Sequence, residues 1–401
     1  MDALLWVPQW PSQFSLLTAS AMMLIAGVLA ARVLSPTLRI PEITAFLLCG
    51  LILGPSGFSL ISADSIAGLS SLADLALGLV LFELGRRIDP IWLIQERWAL
   101  TTAIAQGLTV FIGLTALLTF LGLDPMLSLM AAALGCASSP AITLRVVHEI
   151  QAEGQVTERM LHSVAISCLL GFTLFVIALQ SLHIAQDASL LTSLLHPVYL
   201  LAGSAALGWF ASRAISFLSR YLGTQTNHQW LLVFAFVALL VEANALLKLS
   251  PLVSLLIFGI TSRGHGQRRA LQAIDASKTG FFVFAFLFVY LGTTLLIDFN
   301  PTTLVIGLAF VFARLALLLL PTLIFARSNG LSLRNGALWA SSLFPISSVS
   351  LVIVSHAGSH YPGFSAELTN LLASALLVTH IAGPLVTWWS LRFSGEGRLN
   401  A

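Results

Sequence analysis

An arginine in the middle of an apolar run is the first feature with chemistry to explain. Arg314 sits in Phe310-Val311-Phe312-Ala313-Arg314-Leu315-Ala316. If that run crosses a bilayer, its charge costs about 2.5–3.5 kcal/mol on insertion scales, so the guanidinium must face the protein interior and meet acceptors. Two proline-serine clusters are the next candidates: Ala137-Ser138-Ser139-Pro140 and Phe344-Pro345-Ile346-Ser347-Ser348. A proline inside a helix removes one backbone hydrogen bond and displaces the chain, and in lipid the freed carbonyls need partners. Neighbouring serines supply such partners, or the break faces an aqueous cavity. Embedded acids are few. Asp74 and Glu242 are candidate proton carriers. Glu83 has Arg86 and Arg87 within i,i+3 and i,i+4 reach for a local ion pair, and Glu42 follows Pro41 where a helix dipole favours a carboxylate. His162, His196 and His380 fall in or near apolar runs; a histidine titrates near neutrality, and a structural role is the plainer reading. Gly54-Pro55-Ser56-Gly57 with His380 as base would fit an intramembrane serine protease, but Pro55 beside a glycine suggests a turn.

These residues need elements to hold them, and composition says which. Hydrophobic residues make up 57% of the 401 and charged residues 9%, against roughly 25% charged in a soluble domain. Lipid is the solvent that tolerates such a chain. A net charge of +2 with no basic run excludes a nucleic-acid partner. Cys49, Cys136 and Cys168 all lie in apolar stretches with no metal-ligand spacing, so neither metal nor cofactor is expected. No cleavable signal peptide is evident. A spanning helix needs about 20 apolar residues, and about thirteen candidates run near 14–34, 41–57, 66–86, 98–121, 126–148, 158–182, 190–219, 228–247, 250–263, 271–297, 302–326, 333–357 and 365–392. The expected fold is therefore all-α, a multi-pass membrane protein. Loops are short and no soluble domain is appended, so a regulatory module would come from another chain.

Basic residues alternate with this count. Sixteen of the nineteen Lys and Arg fall on one side, from Arg32 and Arg39 after the first span to Arg392 and Arg398 after the last. Lys248 lies in an opposite loop. The positive-inside rule then puts the N-terminus outside and the C-terminus in the cytoplasm of a plasma membrane, expected to be a bacterial inner membrane. The breaks at Pro140 and Pro345 fall in the fifth helix of each of two halves separated by seven spans, which makes the halves inverted repeats. Paired interrupted helices at matching positions are a sequence pointer to a transporter's binding site.

Several stretches together resemble the cation:proton antiporter superfamily, the sodium/hydrogen exchanger-like group and its Kef-type branch, over about residues 15–390. They are Pro41-Glu42, Gly50-Leu51-Ile52-Leu53-Gly54-Pro55-Ser56, Leu72-Ala73-Asp74-Leu75 through Leu81-Phe82 and Gly85, Ser138-Ser139-Pro140-Ala141, Phe286-Leu287-Phe288 through Gly292, and Leu331-Ser332-Leu333-Arg334. The resemblance implies two crossing broken helices and a core (98–182 and 302–392) moving against a panel (14–86 and 190–297) that forms a homodimer. It also implies a monovalent cation, Na⁺ or K⁺, exchanged for a proton by alternating access. Arg314 matches the family's membrane-embedded Lys or Arg. Where the family usually carries one or two aspartates in the sixth span, this chain has Ser167-Cys168, and Ile346-Ser347-Ser348 replaces an Arg-Gly-Glu-like segment. The implied ion site is Ser138, Ser139, Ser167, Cys168, Arg314, Ser347 and Ser348. A hydroxyl ligates without titrating, so the proton would travel on Asp74 or Glu242. A net-positive site also leaves open an anion or neutral solute as substrate, or a non-transporting sensor.

Overall fold

The computed structural model describes residues 15–38, 40–184, 195–222, 226–263, 276–295, 301–347, 350 and 362–397. Among these the chain is all-helical, with one isolated antiparallel bridge, Ser138 to Ile346. The helices are α1 (Leu16–Leu38), α2 (Glu42–Leu53), α3 (Ala63–Gly68), α4 (Ser70–Arg87), α5 (Pro90–Gln95), α6 (Arg97–Phe120), α7 (Pro125–Cys136), α8 (Pro140–Glu149) and α9 (Gln155–Ile184). Then follow α10 (Ser204–Leu222), entered through a π-turn at Tyr199–Gly203, α11 (Thr226–Leu247), α12 (Pro251–Ser262), α13 (Ala276–Thr294), α14 (Pro301–Phe325), α15 (Leu333–Ser342) and α16 (Pro362–Phe393).

Seven helices among the described residues are long and apolar enough to cross a membrane, and four more are apolar but shorter. Their starts are written in the sequence. Asp89-Pro90, Asp124-Pro125, Ser139-Pro140 and Ser250-Pro251 each place a capping side chain before a proline at the first helical position, where the missing N–H costs nothing. Pro140 therefore starts a helix rather than kinking one. Proline alone does not decide a break, since Pro321 and Pro384 lie inside α14 and α16, which continue through them. The expected span 126–148 is two half-helices, α7 and α8. The expected span 333–357 is α15, broken after Ser342; Ser348 and residues 351–361 lie outside the described residues.

Helices α6–α9 and α14–α16 pack on one another, and α1–α4 pack with α10–α13. The second group is joined by two glycine contacts. A Cβ added at Gly50 of α2 would lie 2.8 Å from the Cα of Gly292 in α13, and one at Gly292 would lie 2.8 Å from Gly50. Gly85 of α4 and Gly259 of α12 meet in the same reciprocal way, at 2.9 and 2.8 Å. Small residues let backbones touch where lipid provides no hydrophobic drive. If the seven-span offset is applied, α2 corresponds to α12 and α4 to α13, so the two contacts are one contact repeated.

Candidate functional site

The site begins where two helices stop. Helix α7 ends at Cys136 and α15 at Ser342. Each half-helix, at 10–12 residues, is about 15–18 Å long, half a bilayer core. Their loose ends cross. Ser139 N–H donates to Pro345 O (2.9 Å), and Ser347 N–H donates to Ala137 O (3.0 Å). Ser138 is the hub. Its N–H donates to Ser167 Oγ (3.1 Å), its Oγ donates to Leu343 O (3.1 Å), and its carbonyl accepts from Cys168 Sγ (3.2 Å). Ser167 Oγ donates in turn to Val164 O at 2.9 Å.

Arg314, 1% exposed, fills the angle between the two ends. Its Nε donates to Gly135 O (2.6 Å), its Nη1 to Leu343 O and Phe344 O (2.9 Å each), and its Nη2 to Ser138 Oγ (2.9 Å). The three carbonyls belong to the C-terminal ends of α7 and α15. A helix C-terminus carries about −0.5 of a charge, so two of them offset one guanidinium. The N-terminus of α8 opens at the same crossing and adds about +0.5 of a charge, so the crossing stays net positive with its arginine in place.

The structure brings Ser138, Ser139, Ser167, Cys168, Arg314, Pro140, Pro345 and Ser347 together. Ser139 Oγ caps α8 by accepting from Ile142 N–H (3.4 Å). Ser347 Oγ is buried and has no hydrogen-bond partner among the described residues. Ser348 lies outside the described residues. Asp74 lies elsewhere, half-buried on α4 and close enough to Tyr290 of α13 to act on it electrostatically. Glu242 is exposed on α11, which packs on α4, α10 and α12.

Other expected roles resolve into ordinary contacts. His162 is not near the crossing: its Nε2 accepts from Asp89 N–H (3.1 Å), its Nδ1 bonds Glu158 O (2.7 Å), and its ring stacks on Trp92. His380 bonds Leu376 O in its own helix, and Ser56 Oγ donates to Leu295 O (2.8 Å), so neither forms the serine–base pair a protease needs. Glu83 pairs with Arg87 at 3.7 Å as the spacing implies, and with His148 at 2.9 Å. Glu42 begins α2, as a capping acid would, yet its carboxylate reaches across to Arg145 of α8 (2.7 Å). The first N–H of α2 goes instead to Glu149 Oε1 at 3.2 Å. Sequence reasoning missed this group because its partners lie more than a hundred residues apart.

Known proteins resemble this chain in sequence and in fold. A chain from Paramagnetospirillum magneticum named iron transporter MagA is 27% identical over 295 residues, 71% of this chain and 64% of its own length. A Methanocaldococcus jannaschii chain named probable Na⁺/H⁺ antiporter 3 is 25% identical over 364 residues, 87% of this chain and 88% of its own. Two solved structures of the sodium proton antiporter MjNhaP1 from the same organism share the fold. One, at pH 8, has a TM-score of 0.65 at 19% identity and covers 94% of this chain and 95% of its own. The other has a TM-score of 0.69 at 16% identity and covers 96% and 100%. The transmembrane sodium/hydrogen exchanger family matches residues 21–392. A chain matched over that length, with half-helices crossing on a buried guanidinium, belongs to the sodium/hydrogen exchanger family of cation:proton antiporters, which are membrane transporters and not enzymes.

Proposed function

We propose that this protein exchanges a monovalent cation, Na⁺ or K⁺, for protons by alternating access. The observation that carries the reading is the crossing itself: two half-helices whose ends meet beside Arg314, the arrangement in which unwound backbone lines a cavity instead of facing lipid. The core, 98–182 and 302–392, slides against the panel, 14–86 and 190–297, and two copies pair through their panels. The basic end faces the cytoplasm. Hydroxyls of Ser138, Ser139, Ser167, Ser347 and Ser348 serve as neutral ligands. Asp74 carries the proton, because it is half-buried inside a span, whereas Glu242 is exposed and is the second choice. Purified protein in liposomes with a trapped pH-sensitive dye should respond to a Na⁺ or K⁺ pulse, and Asp74→Asn should abolish that response. No response to any monovalent cation removes the reading.

A second reading has its own support. The groups that bond one another at the crossing are hydroxyls, a thiol, carbonyls and a guanidinium, a set that suits an anion or neutral solute as well as a hard cation. Uptake of a labelled anion that fails in Arg314→Ala, with no dye response to cations, favours it.

A further inference from the structure

We propose that the outer end of α8 is a polar latch that holds the basic face of the protein closed by tying the core to the panel. The inference rests on the alternating-access reading and names the residues that restrain it.

Helix α8 starts at the crossing and ends at Glu149, so it links the site to the basic face directly. Its last turns carry Arg145, His148 and Glu149, and each is bound to a panel helix. Arg145 Nη2 meets Glu42 Oε2 of α2 at 2.7 Å, and its guanidinium lies 5.0 Å from the ring centroid of Phe281 in α13. His148 Nε2 meets Glu83 Oε1 of α4 at 2.9 Å and also contacts Arg87, while its ring stands edge-on to Phe284. Glu149 Oε1 accepts the first N–H of α2, placing a carboxylate on that helix's positive end. About two turns into α9, His162 accepts from the N–H of Asp89, the residue that caps α5 just beyond α4. Nearby, Arg263 of the panel pairs with Asp89 at 3.1 Å and brings its Nη1 to Arg87 O at 3.2 Å.

These ties have the features of a releasable contact rather than of a packed core. Three panel helices are gripped by one short element, through side chains that water would satisfy equally well if the face opened. Arg145 Nε and Glu149 Oε2 are buried without hydrogen-bond partners among the described residues. Closure leaves them unsatisfied, and opening would hydrate them, which lowers the cost of release. Partly buried ion pairs of this kind commit two elements to one relative position while leaving the exchange with water nearly balanced.

The test measures the distance between the two bodies at the basic end. Spin labels go on Thr37→Cys in α1 and Gln155→Cys in α9, both exposed; the native Cys49, Cys136 and Cys168 are buried. The full-length protein in lipid nanodiscs should show a short-distance population at rest and a second, longer one under saturating cation and alkaline pH. Arg145→Ala and Glu42→Gln should each raise the resting share of the long population at least threefold, and the swap Glu42→Arg with Arg145→Glu should bring it back toward the wild-type value. A long population that appears in wild type but keeps the same share in both variants overturns the latch alone. One distance in every protein under every condition overturns alternating access and the latch with it.

Discussion

At the scale of single residues, the central fact is a buried arginine that needs no acidic partner. Arg314 donates to three helix-end carbonyls and one hydroxyl. Each carbonyl left dry and unpaired costs about 1–3 kcal/mol, so Arg314→Ala should lower the thermal midpoint in detergent by many degrees and abolish transport. Arg314→Lys keeps the charge but concentrates its donors at one point, and should fall between. Equal melting of the alanine variant and the wild type would show that these bonds carry no stability. Ser167 illustrates the same accounting at lower stakes: Ser167→Ala strands Ser138 N–H, and should cost about 1–3 kcal/mol in a chemical-denaturation series. The arginine was legible from its apolar surroundings, but its partners were not, because every residue carries a carbonyl and no side-chain pattern marks which ones a helix break will free.

At the scale of elements, the sequence announces starts better than meetings. Asp124-Pro125 and Ser250-Pro251 begin helices within a residue of the expected spans, whereas Asp89-Pro90 begins a short helix outside any expected span and Ser139-Pro140 begins one inside an expected span, which is the Pro140 break. The bridge between Ser138 and Ile346 is a contact across two hundred residues, which no local signal encodes. Gly50, Gly85 and Gly292 stood in the stretches that carry the family resemblance and Gly259 did not, and only the structure gives the reason for all four: Gly50 with Gly292, and Gly85 with Gly259, bring backbones into contact. An alanine at any of the four must push a backbone rather than a side chain, so each should reduce the folded fraction by fluorescence-detected gel filtration. Gly122→Ala, at a loop glycine with φ +86 and open space around it, should cost only the local strain. The latch also has a sign with pH. In the closed face, burial pushes the Glu149 carboxyl up to about 7, against the opposing pull of the Glu42 N–H and Arg145 and with the Glu42 carboxylate adding to the rise. Hydrated in an open face, it returns toward 4.5. The closed form therefore binds more protons between those values, is favoured at low pH, and loses that advantage as pH rises through about 7. The long spin-label distance should gain population as pH rises from about 4.5 to about 7 and level off above that, and Glu149→Gln should flatten that rise.

For the whole molecule, orientation in the membrane decides which face the latch closes. The ion pairs Arg87–Glu83, Arg145–Glu42, Arg159–Glu96 and Arg263–Asp89 gather at one end of the bundle. The same end holds the start of α9, where Glu396 accepts from Val156 N–H (2.7 Å), Thr157 N–H (2.7 Å) and Thr157 Oγ1 (2.8 Å). Lys248 stands exposed at the far end, between α11 and α12. A chain inserted with its basic loops outward would work against the retention of Lys and Arg that sets topology, and the latch would then close the external face instead. An impermeant maleimide distinguishes the two arrangements in intact cells. Lys248→Cys should label from outside, while Gln155→Cys should label only after the membrane is permeabilised. The reverse pattern would invert the direction assigned to every gating step, yet leave the crossing, the glycine contacts and Arg314's bonds as they are, because those depend on packing inside the bundle and not on which compartment lies beyond it.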